Sequence, residues 1–212
     1  MMEKMMFKNW ILIVAIFGFG LLSCDKESAT IALDETENVT IENVNPDETQ
    51  AELNGLLYMR EEEKLAHDAY VYLYKLWNIS VFNNISKSET VHTNKVLELI
   101  NSFGLEDSAL PNEGEFNNPE LQTLYNQLIT QGSDSLIAGL LVGTTIEEVD
   151  IIDLKEEMEI ASDSSILTVY GNLMKGSEAH LRAFVAQLKF RGYEYEPQLL
   201  SEEEYDAIIN ND

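Results

Sequence analysis

Apolar residues recur at three- and four-residue spacing along four long stretches, the period of a helix with one buried face. The spacing predicts helix one over residues 52–77, helix two over 84–103, helix three over about 135–160 and helix four over 164–191. A shorter helix is expected over 119–131, and helix three is open to a break near Gly139 or Gly143. Gly104, Gly132 and Gly192 each follow an apolar-periodic run, where a glycine ends a helix, and Asp163 stands where an N-cap belongs. The stretch 104–118, rich in Gly, Pro and acid, is the only long loop of the domain. No run alternates with period two, so strands are not expected.

On each long helix the apolar stripe is interrupted near its middle. Helix one presents Leu56, Met59, Glu63, Ala66, Tyr70, Leu73 and Trp77, with Glu63 as its one charge. Helix two presents Ile85, Val96, Leu99 and Phe103 together with Glu89 and His92, one turn apart. Helix three gives Leu140, Thr144, Glu147, Ile151, Leu154, Met158 and Ala161; helix four gives Ile166, Tyr170, Leu173, Ser177, His180 and Phe184. Burying such groups costs several kcal/mol unless each finds a partner, and a divalent metal satisfies carboxylates and imidazoles together. The Glu89-x-x-His92 spacing puts both side chains over one spot, as in carboxylate-bridged di-iron and di-manganese bundles. With 38 acidic residues and three histidines, such a spacing also arises by chance, so its place on the stripe is what counts. Four long helices with a long crossover and a short extra helix between the second and third make an all-α, ferritin-like four-helix bundle.

The segment from Glu63 through Ala66 to Tyr70 resembles the first helix of rubrerythrins and ferritins, and Glu89-x-x-His92 resembles their second. The resemblance implies a glutamate from helix three, met by Glu147 or its neighbour Glu148, and a second Glu-x-x-His in helix four. There the pattern breaks, because Ser177 stands three places before His180 and Glu178 points about a third of a turn away. The chain is more closely similar to a bacterial ferritin-like family, domain of unknown function 2202. That likeness covers roughly residues 52–208, through Leu57-Tyr-Met-Arg-Glu-Glu-Glu-Lys-Leu-Ala66, residues 142–154, Gly176-Ser-Glu-Ala-His-Leu-Arg-Ala-Phe184 and Tyr195-Glu-Pro-Gln. Carried over, the metal ligands are Glu63, Glu89, His92, Glu147 and His180, a set that suits iron, manganese or zinc better than calcium or copper. Water or Asp150 replaces the missing glutamate, or the second metal is absent. Glu62 and Glu148 belong to flanking stripes, and Glu61, Glu62 and the 202–204 run read as solvated faces. His67 shares a face with Arg60, Lys64, Val71 and Asn78 and reads as solvated or half-buried. Tyr70, Tyr72, Tyr74 and Tyr170 read as core aromatics or as redox partners of a metal.

Residues 1–24 change where this domain is expected to work. Lys4 and Lys8 precede thirteen apolar residues, 10–22, and Leu21-Leu22-Ser23-Cys24 resembles a bacterial lipoprotein box. The reading is a signal peptide cut before Cys24, whose thiol carries lipid and anchors the domain to the membrane of the cell envelope. An uncleaved anchor is the alternative, although thirteen residues are short for a hydrocarbon core of ~30 Å. Residues 25–50 read as a flexible acidic linker and 51–212 as the bundle. Loss of residues 1–23 leaves 11 basic against 37 acidic residues, which excludes nucleic acid as a partner. No other cysteine remains for a disulfide. Two functions stand: a di-metal oxidoreductase of the envelope, or a metal-binding, ligand-binding or structural lipoprotein domain without turnover.

Overall fold

Every element among the described residues, 46–210 of the computed structural model, is a helix. In chain order these are α1 (Pro46–Trp77), α2 (Ser80–Ser102), α3 (Pro119–Gly132), α4 (Leu136–Ile160), α5 (Ser164–Phe190) and α6 (Glu202–Ile209). Residues 103–118 form the longest irregular stretch among them, as the sequence predicts. The expectations for Cys24, the signal peptide and most of the linker lie outside the described residues. Among those described, no helix is long and apolar enough to cross a membrane.

Local chemistry explains most boundaries. α1 begins at Pro46, six residues earlier than predicted, where the fixed φ of proline suits a first helical turn. Residues 46–50 are therefore helix rather than linker. Asn78, at φ 51°, makes the tight link to α2, which starts four residues before its predicted place. Asn118 accepts from the backbone of Glu120 and Leu121, Ser135 from Ala138, and Asp163 from Ser165 and Ile166, so α3, α4 and α5 each open on a side-chain cap. Gly104 and Gly192 take the left-handed conformation, at φ +68° and +75°. Gly132 instead remains helical, and a Cβ there would lie 2.7 Å from Leu73. α4 is not broken at Gly139 or Gly143; a Cβ on Gly143 would meet the Phe184 ring at 2.6 Å, so this glycine serves close packing.

Contacts along the long helices give their directions. Tyr70 stacks near Phe82 while Glu63 meets His92, so α1 and α2 are antiparallel. Glu52 holds the backbone of Ser162, and Tyr58 donates to Asp153 at 3.2 Å, so α1 and α4 are antiparallel too. Asp150 with Ser177, and Gly143 with Phe184, make the same case for α4 and α5. His180 against Glu89, and Gly176 against His92, make it for α5 and α2. α2 and α4 therefore point the same way, and the chain between them must travel back along the helices, carrying α3 with it.

The core has two large apolar layers, apart from a small cluster of Ile151, Leu181, Leu200 and Ile208. One holds Tyr70, Phe82, Ile85, Val142 and Phe184; the other holds Leu56, Met59, Val96, Leu154, Tyr170 and Leu173. On every long helix the polar interruption falls between the two. The stripes read from the sequence are buried as expected except at their ends, where Phe103 is 36 % exposed and Trp77, Met158 and Ala161 are half-buried.

The flank of α1 departs from expectation. Glu61 and Glu62 are buried rather than solvated, as are Arg60 and Lys64. The crossover and α3 lie over this side of α1: Asp107 forks onto Arg60 at 2.9 Å, the Asn112 carbonyl takes Lys64 at 2.8 Å, and the Asn118 amide donates to Glu61. His67 is half-buried, as expected, with Nδ1 2.8 Å from Asp68. α6 is a helix the apolar pattern missed, although Ser201-x-x-Glu204 is a capping box.

Candidate metal centre

The five residues singled out by the stripes converge. Glu63 comes from α1, Glu89 and His92 from α2, Glu147 from α4 and His180 from α5; the carboxylates are 1–2 % exposed and both imidazoles 8 %. His92 Nδ1 lies 2.8 Å from one oxygen of Glu89 and 3.3 Å from Glu63. His180 Nδ1 lies 2.8 Å from the other oxygen of Glu89 and 3.4 Å from Glu147. Glu89 is thus common to two three-residue groups, Glu63–Glu89–His92 and Glu89–Glu147–His180, in each of which the candidate ligand atoms lie within 4.8 Å of one another. The imidazoles stack with centroids 5.4 Å apart.

Electrostatics follow from this crowding. Burial alone would raise Glu89, but His180 and His92 overcome it and hold its carboxyl at about 2. Burial opposes protonation of the imidazoles, yet Glu63 and Glu89 lift His92 to about 11, and Glu147 and Glu89 lift His180 to about 10. Glu63, with more burial than compensation, is raised to about 7, and Glu147 is raised for the same reason. Tyr70 donates its hydroxyl to Glu147 Oε1.

Several buried polar atoms here have no hydrogen-bond partner: Glu63 Oε1, Asp150 Oδ1 and His180 Nδ1, the last in spite of its short distance to Glu89. Interior polar groups are almost always paired. Oxygen and imidazole donors of this kind, converging with atoms unpaired, could hold a metal ion.

Of two neighbours, Glu62 was misread from the sequence as a solvated face, whereas Glu148 lies off the centre, as its flanking stripe predicts. Glu62 is a buried carboxylate with both oxygens unpaired; burial, Asp153 and Asp150 push it well above the usual range. It lines a cleft between α1, α3 and α4, with Leu65, Leu128 and Ile146, that has room for about one water. Glu148 is fully buried but turned away from the centre, accepting from the Tyr195 hydroxyl at 2.6 Å and from the amides of Gln198, Leu199 and Leu200. Asp150 is also buried; burial and then Glu63 and Glu147 raise its carboxyl well above the ordinary value. Of the tyrosines, Tyr70 touches the centre, while Tyr72 pairs with Ser133 at 3.2 Å.

Fold and site together define an all-helical protein with a buried cluster of carboxylates and imidazoles able to take a metal ion. The chain belongs to the family described as Uncharacterized protein domain (DUF2202), whose model matches residues 52–212. It is 42 % identical over 164 residues to Uncharacterized protein MJ0754 of Methanocaldococcus jannaschii, covering 77 % of this chain and 89 % of that one. It is also similar to the crystal structure of hypothetical protein MJ0754 from Methanococcus jannaschii, with TM-score 0.76 and 39 % identity, over 83 % of this chain and 99 % of that one. This relative is archaeal, so the family is not confined to the bacteria that the sequence resemblance named.

Proposed function

We propose that this protein is a ferritin-like four-helix bundle holding two transition-metal ions, iron or manganese first and zinc next, in an oxidoreductase-type centre. We place it in the cell envelope, exported and anchored by lipid on Cys24. The observation that carries the metal reading is the shared Glu89: its two oxygens each lie 2.8 Å from a different imidazole nitrogen, and each imidazole faces a second carboxylate. One carboxylate shared by two histidine–glutamate pairs supports the two-metal reading, with Glu63, Glu89 and His92 as residues that would hold one ion and Glu89, Glu147 and His180 the other. The α2–α4 crossover supports the ferritin-like reading.

Bound iron or manganese would supply one-electron chemistry toward a small oxidant such as dioxygen or peroxide, whereas bound zinc, which has no redox chemistry, would leave a binding site without that activity. The chain's own residues do the positioning. Tyr70 orients Glu147 through its hydroxyl, and Tyr70, Phe82 and Phe184, with ring centroids 5.2–6.4 Å apart, form an apolar wall beside the centre.

Elemental analysis of the purified protein tests this reading, with iron, manganese or zinc expected near two per chain. His92→Ala and His180→Ala should each lower that content sharply, because water replaces a neutral imidazole donor poorly. Wild-type protein that stays metal-free after incubation with Fe(II), Mn(II) and Zn(II) would sink it. A second reading, a metal-free polar network, draws on the same 2.8 Å imidazole–carboxylate contacts, which pair the charges without an ion. In that case His92→Ala changes no metal content and costs about 1–3 kcal/mol of stability through unpaired buried carboxylates.

A further inference from the structure

Ferritin-like di-metal centres draw a carboxylate from each Glu-x-x-His helix. In this chain α2 supplies Glu89 three residues before His92, whereas α5 has Ser177 three residues before His180. We infer that Asp150 on α4 is the missing fourth carboxylate of the metal centre, with Ser177 on α5 as the residue that positions it.

The inference rests on the two-metal reading, and four observations lead to it. Asp150 follows Glu147 by three residues, so both project from one face of α4 toward the same region. Its side chain is buried, at 6 % exposure, and among the described residues no lysine or arginine pairs with it. Its Oδ2 accepts the hydroxyl of Ser177, so the carboxylate from α4 ends at the position where a glutamate on α5 would begin. Its Oδ1 has no partner. A carboxylate held by one oxygen, with the other bare among further carboxylates, lacks a positive counter-group. A divalent transition-metal cation supplies one. Serine suits position 177, itself 1 % exposed, because a larger side chain would occupy the space into which Asp150 reaches. The fourth carboxylate has thus been moved to the neighbouring helix: Asp150 lies outside the two groups of atoms within 4.8 Å of one another and would complete the set of Glu63, Glu89, His92, Glu147 and His180 once metal is bound.

The test is equilibrium dialysis of the full-length protein against Mn(II), with manganese counted by elemental analysis and the paired-ion signal read by electron paramagnetic resonance. Wild type should hold two ions per chain and show the coupled signal. Asp150→Asn, equal in shape and lacking charge, should hold one and lose that signal. Asp150→Ala combined with Ser177→Glu returns the carboxylate to α5 and should restore both. Circular dichroism establishes that each variant is folded, and if the double variant is not, Asp150→Asn decides alone. Two coupled ions in folded Asp150→Asn would overturn this assignment and leave the two-metal reading intact. A single ion in the wild type would overturn it as well, leaving a mononuclear centre. If the wild type holds no manganese, the count is repeated with Fe(II) and Zn(II), and binding of none of the three would remove the assignment and the two-metal reading together.

Discussion

Glu157 is half-buried on α4, one turn after Asp153 and beside Glu156, and its carboxylate fills the space that a Cβ on Gly55 would take. Burial, then Asp153 and Glu156, raise it from 4.5 to about 7. The folded chain therefore holds this proton more tightly than the unfolded one. Its contribution to stability is fully present below pH 4.5 and is lost as pH rises through about 7. Glu157→Gln should melt at a higher temperature than wild type at pH 8, with the gap closing by pH 4. Thermal unfolding in chelator checks this, and equal slopes in the two proteins would show an ordinary carboxyl. Glu63, Glu89, His92, Glu147 and His180 could be read from the sequence because each is a polar exception at helical period on an apolar face. Glu62 could not, since its burial depends on α3 and the crossover covering α1, which the local pattern of α1 does not contain.

At the scale of elements, the approach of α5 to α2 is set by the bare backbone at Gly176. A Cβ there would lie 2.6 Å from Cε1 and Nε2 of His92, the side of the ring away from the carboxylates. Gly176→Ala should push the imidazole toward Glu63 and Glu89 or hold the helices apart. The expected cost is about 1–3 kcal/mol in urea unfolding, together with reduced metal content. A variant of unchanged stability and metal content would show that the ring has room to retreat. The long helices were legible because four apolar stripes sustain one period over many turns. Their starts were less so: Pro46-Asp-Glu and Ser80 begin helices where the stripe has not yet begun. α6 was missed because its eight residues bury only Ile208, and its one clear signal is the Ser201–Glu204 capping box.

For the molecule as a whole, the all-helical class follows from periodicity, whereas the wrapping of the crossover over Arg60 and Lys64 follows from neither periodicity nor charge. The expected attachment at Cys24 belongs to this scale too. Cys24→Ala should leave the protein soluble or unprocessed, checked by fractionation and mass. Membrane association at the normal mature mass would end the lipoprotein reading. The consecutive residues Glu147 and Glu148 point about 100° apart, one to the imidazole of His180 and one to the backbone amides of Gln198, Leu199 and Leu200. Rolling α4 by a single residue, about 100°, would break both grips at once. The C-terminal segment thus works as a key that fixes the rotational phase of a helix. Glu148→Gln, which weakens the key without touching the lock's interior, should cost about 1–3 kcal/mol and loosen metal binding from outside the centre.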